Sequence, residues 1–179
     1  MPPETTRLET TPAEDLQPRL VDSPAEVRQM LRQALQRAAE QGGRELCWMD
    51  PDFAEWPLSE AGLLDALHRW ALPHRRLRLL ANTDYETLRR VHPRFVQWRQ
   101  THDHVVQARA FDPADLAERS TPAPMGLLLA PGLLTLKLWT PARASLSLHD
   151  AREEAMAREW FDAIEQRSAD SFASSTLGL

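Results

Sequence analysis

The stretch RLRLLANTDYETLRRVHPRFVQWRQTHDHVVQAR, residues 76–109, reads as strand, turn, helix, strand. Leu77, Leu79 and Leu80 form a short apolar run that ends at Asn82. Thr83 is placed to cap a helix, with Glu86 three residues on to complete a capping box. Leu88, Val91, Phe95 and Trp98 give that helix an apolar face. Pro93 falls inside it, lacks an N–H and clashes with the preceding turn, so two short helices are expected, one on each side. His104 to Phe111 reads as the next strand, with Val105 and Val106 at its centre. Such a unit must be buried on both sides by other elements.

Working outward, Ser23-Pro24-Ala25-Glu26 starts a helix with a capping box and a proline at the first helical position. Val27, Met30, Leu31, Ala34, Leu35 and Ala38 continue it, and Gly42-Gly43 ends it. Glu45 to Met49 is a strand broken by Asp50-Pro51-Asp52. Leu63, Leu64, Leu67, Trp70 and Ala71 form the next helical face. After Pro124 the period changes to two. Gly126 to Ala130 is a strand, Pro131-Gly132 a turn, and Leu134/Leu136/Leu138 and Ala144/Leu146/Leu148 alternate with polar neighbours. Short connections imply an antiparallel meander. Asp150 with Glu153 starts a last helix, whose expected buried face is Met156, Trp160 and Ile164 with Phe161 beside them.

The expected fold is α/β: a mixed sheet of about six strands, the first three parallel by right-handed crossover, with helices on both faces. Residues 1–22 read as a flexible tail, 23–167 as a single domain and 168–179 as a second tail.

The chain has 179 residues, is 42% hydrophobic and carries a net charge of -5, which excludes a disordered chain and argues against a dedicated nucleic-acid binder. Cys47 is alone, so no internal disulfide forms; it reads as a core residue rather than a nucleophile. No apolar run approaches the ~20 residues a membrane helix needs. The N-terminus lacks a signal-peptide core. A soluble cytoplasmic protein is expected.

The order of elements from about Ser23 to Arg167 resembles one half of a phospholipase D-like enzyme. The segments Asp50-Pro51-Asp52-Phe53-Ala54-Glu55-Trp56-Pro57 and Phe95-Val96-Gln97-Trp98-Arg99 are also similar to a family of bacterial proteins of unassigned activity with a degenerate phospholipase D-like domain. The resemblance implies a motif H-x-K-x4-D, whose histidine attacks phosphorus and whose lysine holds phosphate oxygens. Aligned on the Pro131-Gly132 turn, its three positions fall on Pro124, Gly126 and Pro131; shifted by one, on Met125, Leu127 and Gly132. Neither register can do the chemistry. The only lysine, Lys137, lies beyond the motif. Half-domains of this kind need a second half, so the resemblance also implies a homodimer.

Acids follow the parallel strands: Asp50 and Asp52 after the first, Asp84 after the second, Asp112 after the third. Ligands of open α/β sheets bind at carboxyl strand ends, so Asp50, Asp52 and Asp84 are the candidate ligand-binding residues. The plainer reading is that they cap helices and start turns. His102-Asp103-His104 would need a third ligand, His149 or His92, to hold a metal, and the plainer reading is a polar corner. Arg75-Arg76 with Arg78, and Arg89-Arg90 with Arg94, either hold a phosphate or flank a strand and solvate a helix. Of six tryptophans, Trp56, Trp98 and Trp139 are the candidates for exposure, with Trp98 and Trp139 at the dimer contact.

The sequence therefore predicts a non-catalytic domain that binds a protein partner or acts as a scaffold, with no catalytic residue, cofactor or metal assigned. The competing expectation is a metal-dependent hydrolase or phosphate-ester-processing enzyme built on the acidic strand ends.

Overall fold

The computed structural model describes residues 16–117 and 122–170. The elements are β1 (Arg19–Val21), α1 (Pro24–Gln41), β2 (Glu45–Met49), α2 (Ala61–Trp70), β3 (Arg76–Ala81), α3 (Tyr85–Val91), α4 (Pro93–Thr101), β4 (Val106–Ala110), α5 (Ala114–Ala117), β5 (Gly126–Ala130), β6 (Leu134–Thr140), β7 (Arg143–Leu148), α6 (Ala151–Arg167) and β8 (Ala169–Asp170). They build one mixed sheet in the order β1-β7-β6-β5-β2-β3-β4-β8. β2, β3 and β4 are parallel, as the crossovers require. β5, β6 and β7 form the antiparallel meander. β2 is the junction: it runs parallel to β3 and antiparallel to β5.

Alternation along each central strand divides the interior into two layers. Leu46 and Trp48 of β2 join the cluster under α1, α2 and α4. Cys47 and Met49 join the cluster with Leu127, Leu129, Ala157, Trp160 and Phe161 of β5 and α6. Helices thus cover both faces.

The local signals place most boundaries. Ser23 caps α1, accepting from the Glu26 N–H at 3.3 Å and donating its hydroxyl proton to Glu26 Oε2 at 2.7 Å. Pro93 separates α3 from α4 and occupies the first turn of α4. Gly42 ends α1, but with φ of -62°. It is needed for close approach, since a Cβ there would lie 2.2 Å from the Ala38 carbonyl oxygen.

Three expectations change. The sheet has eight strands, because β1 and β8 add an edge strand at either side from stretches read as tails. Leu16 and Val21 are buried, so the described part of the N-terminal stretch is tied to the core. Residues 1–15 and 171–179 lie outside the described residues. Asp84, not Thr83, caps α3: its Oδ1 accepts the Thr87 N–H at 2.7 Å. A carboxylate is the stronger acceptor at a helix start, and that bond holds its pKa below the ordinary value. Finally, Trp56 and Trp98 are buried rather than exposed. Trp56 folds back on Trp48, with ring centroids 5.9 Å apart, and Trp98 stacks between Phe95 and His102.

Candidate functional site

The junction at β2 decides what the carboxyl end of the sheet can do. Asp50 follows β2 directly and is 7% exposed. Its Oδ1 accepts the Phe53 N–H at 2.8 Å and the Asp52 N–H at 3.2 Å. Its Oδ2 accepts the Trp56 indole N–H at 3.0 Å. One carboxylate therefore folds the loop that follows. These donors favour the ionised form, but desolvation outweighs them and raises the carboxyl to about 6.

The same loop is pinned from α4. Phe53 adopts a left-handed backbone, φ 56°, which is costly for a bulky side chain. It is held there by the Asp50 bond, by an edge contact with Trp56, and by buried His92, whose Nε2 donates to the Phe53 carbonyl at 2.7 Å. Burial lowers the His92 pKa from the ordinary value, which favours the neutral ring.

Gly126 opens β5 against this loop. A Cβ built on it would meet Asp50 Oδ2 at 3.0 Å, Leu138 Cδ1 at 3.0 Å and the Met49 carbonyl oxygen at 3.1 Å. The position that the implied motif gives to lysine is thus crowded by the chain's own carboxylate. Pro124, at the histidine position, is buried, and Pro131 lies in the turn before β6. In the shifted register, Leu127 is in the core under α6. What remains between the loop, α1 and β6 is a cavity of about 70 Å³ lined by Val27, Leu31, Trp56, Met125, Leu138 and Pro141. Asp50, Asp52 and Glu55 also border it, with Arg28 the one cation among its lining residues.

The candidate acids share one behaviour. Asp52 Oδ1 accepts the Ala54 N–H at 2.9 Å, Asp84 caps α3, and Asp112 Oδ1 accepts the Ala114 N–H at 2.9 Å. Each strand-end carboxylate folds the backbone that follows it. Asp50 and Asp52 meet in one cavity; Asp84 does not border it. Among the described residues no three His, Cys, Asp or Glu side chains are grouped to hold a metal ion.

The remaining candidates separate. His102 and His104 lie near one another, but His92 is committed to Phe53 and His149 Nδ1 to the Gly132 carbonyl oxygen at 2.9 Å. His68 is the histidine that does join, with its ring 5.2 Å from His102. Trp139 is half-buried, its indole donating to Ser145 Oγ at 2.9 Å. Arg78 leaves its neighbours Arg75 and Arg76 and pairs with Asp162, Glu165 and Glu45. Cys47 is fully buried, and desolvation pushes its thiol up to about 12, which suits a core residue. Asp50 was legible as a candidate; that Trp56 bonds it, that Gly126 packs against it and that His92 holds Phe53 beside it were not, because these contacts depend on how the loop folds and on which strand lies opposite.

No protein-family model matches the sequence, and no curated protein matches it. Solved structures do share its fold. One is that of TrmBL2, an archaeal chromatin protein described as showing a novel mode of DNA binding: TM-score 0.53, 15% identity, 91% of this chain and 56% of that one. The present chain spans about half the length of TrmBL2. Another is NucT from Helicobacter pylori, with TM-score 0.54, 9% identity, and 86% and 98% of the two chains covered. A third is Nuc from Salmonella typhimurium, a phospholipase D family member, with TM-score 0.51, 9% identity, and 79% and 91% covered. At these identities the likeness is one of fold: a phospholipase D-like α/β fold with an eight-stranded mixed sheet. Among the described residues no helix is long and apolar enough to cross a membrane.

Proposed function

We propose that this chain is a catalytically inactive phospholipase D-like domain that works by binding a partner. The observation that carries the reading is Gly126 packed against Asp50: at the motif's lysine position a Cβ would sit tightly, 3.0 Å from a carboxylate oxygen, so an anion stands where the motif needs a cation. An anion there opposes the charge of a phosphodiester, and neither register of the motif supplies a nucleophile. The competing reading, a metal-dependent hydrolase on the strand-end acids, would need Asp50, Asp52 and Asp84 to turn from backbone N–H groups toward a metal. Thermal-shift measurements with Mg²⁺ and Mn²⁺ separate the two. A ligand of the folded state raises the melting temperature. The inactive reading expects no rise; a saturable rise lost in Asp50→Asn would favour the hydrolase.

Self-association is a second reading for the partner. It cannot use Trp98, which is buried, or a bare central-strand edge, since β1 and β8 lie there. It is favoured by Met156, 44% exposed beside an open trough formed by Ala123, Pro124, Ala157 and Trp160. Light scattering that returns the mass of one chain at every concentration would remove it. DNA is a further partner to test, given its binding by TrmBL2; the net charge of -5 stands against it.

A further inference from the structure

We infer that the open pocket at the amino ends of β2, β3 and β4 binds a phosphate-class oxyanion. It lies at the opposite end of the parallel strands from Asp50, and it does not depend on the inactive reading above. Arg44, His74, Arg75, Arg76 and His104 line it, with a volume of about 460 Å³. The parallel register creates it: Arg76 stands beside Glu45 across β2 and β3, and the turns that carry Arg44, His74 and His104 open at the same end.

The charge in this pocket is unbalanced. Its one acid, Glu45, is taken by Arg158 at 2.8 Å and by Arg78 at 3.5 Å. Among the described residues, Arg44 and Arg76 make no side-chain hydrogen bond or ion pair. In the other basic spot two of the three arginines are engaged: Arg89 pairs with Glu86 at 3.0 Å, and Arg94 reaches the Ser59 carbonyl oxygen at 3.5 Å. Arg75 is already fixed, donating to the Gly42 carbonyl oxygen at 2.8 Å and to that of Gly43, with its guanidinium 5.8 Å from the Trp70 ring. A held cation beside two unpartnered guanidinium forks suits a tetrahedral oxyanion, whose oxygens accept paired N–H bonds. Imidazole N–H groups of His74 and His104 add donors. In a chain of net charge -5, three arginines converging on one concavity form a local positive field that an anion satisfies.

The test is a titration of the ¹⁵N-labelled full chain with inorganic phosphate at constant ionic strength, followed by amide chemical shifts. A phosphate monoester, ribose 5-phosphate, forms a second arm. Saturable shifts centred on Arg44, Arg76 and His104 are expected, with affinity weakened roughly tenfold in Arg44→Gln and in Arg76→Gln. Neither arginine has a side-chain partner among the described residues, so these variants should keep the native spectrum. Arg89→Gln should bind as the parent does. Tighter binding of the ester would identify an esterified phosphate as the ligand; tighter binding of inorganic phosphate would identify the free ion. Shifts that chloride reproduces, or that survive both substitutions, would overturn the assignment.

Discussion

Replacing Asp50 by asparagine should remove a defined part of the protein's pH dependence. In the folded chain the carboxyl is raised from 3.8 to about 6. The unfolded chain releases its proton near 3.8, whereas the folded chain holds it until about 6. The folded state is therefore favoured by this group below pH 3.8, and that advantage is lost as pH rises through about 6. The gap is about 2 units, and each unit is worth about 1.36 kcal/mol, so the swing is about 3 kcal/mol. Asparagine keeps a carbonyl oxygen for the Phe53 and Asp52 N–H groups but cannot ionise. It loses the acceptor for the Trp56 indole, an offset that does not vary with pH. Urea unfolding of both proteins at about pH 3.5 and about pH 7.5 isolates the term, since every other titrating group cancels in the difference. The parent should lose about 3 kcal/mol relative to Asp50→Asn between the two conditions. A difference that stays flat with pH would refute the burial of an ionisable Asp50 and the loop geometry built on it.

Two further outcomes follow from the same region. Gly126→Ala forces a Cβ to 3.0 Å from Asp50 Oδ2 and 3.1 Å from the Met49 carbonyl oxygen. It should cost roughly 1–3 kcal/mol in urea unfolding, and unchanged stability would show that the contact yields. Cys47, buried and raised to about 12, should resist a thiol reagent in the native protein and react at once when unfolded. Rapid native labelling would contradict its place under α6.

The sequence carried the architecture well where the signal was local. The capping box at Ser23, the break at Pro93 and the period-two strands from Gly126 onward each depend on neighbours within a few residues. β1 and β8 were missed because strands of three and two residues have no period of their own. They form only because β7 and β4 offer a ladder. The tryptophans were misplaced for a related reason: whether a loop or helix aromatic is buried depends on what lies opposite. Trp56 is covered because Trp48, Phe53 and Asp50 meet it, and none of those contacts leaves a mark in sequence spacing. The candidate acids were found as residues, but their use was not, since a carboxylate after a strand looks the same whether it accepts N–H bonds or holds a ligand. The basic pocket was half legible. Arg75 and Arg76 stood out, with His74 beside them in sequence, while Arg44 and His104 join them through the parallel register of β2, β3 and β4.

We propose that the chain has no phosphodiesterase site, with Gly126 and Asp50 standing where the motif needs lysine. Phospholipase D-like catalysis passes through a histidine bonded to phosphorus, so the direct measurement is intact mass after incubation with bis(p-nitrophenyl) phosphate. The sample is denatured in alkali, where a phosphohistidine survives, and the released nitrophenolate is counted alongside. The account predicts an unmodified chain and no nitrophenolate above the buffer rate. A phosphoryl adduct on any of the six histidines, with turnover abolished by substituting that residue, would contradict it.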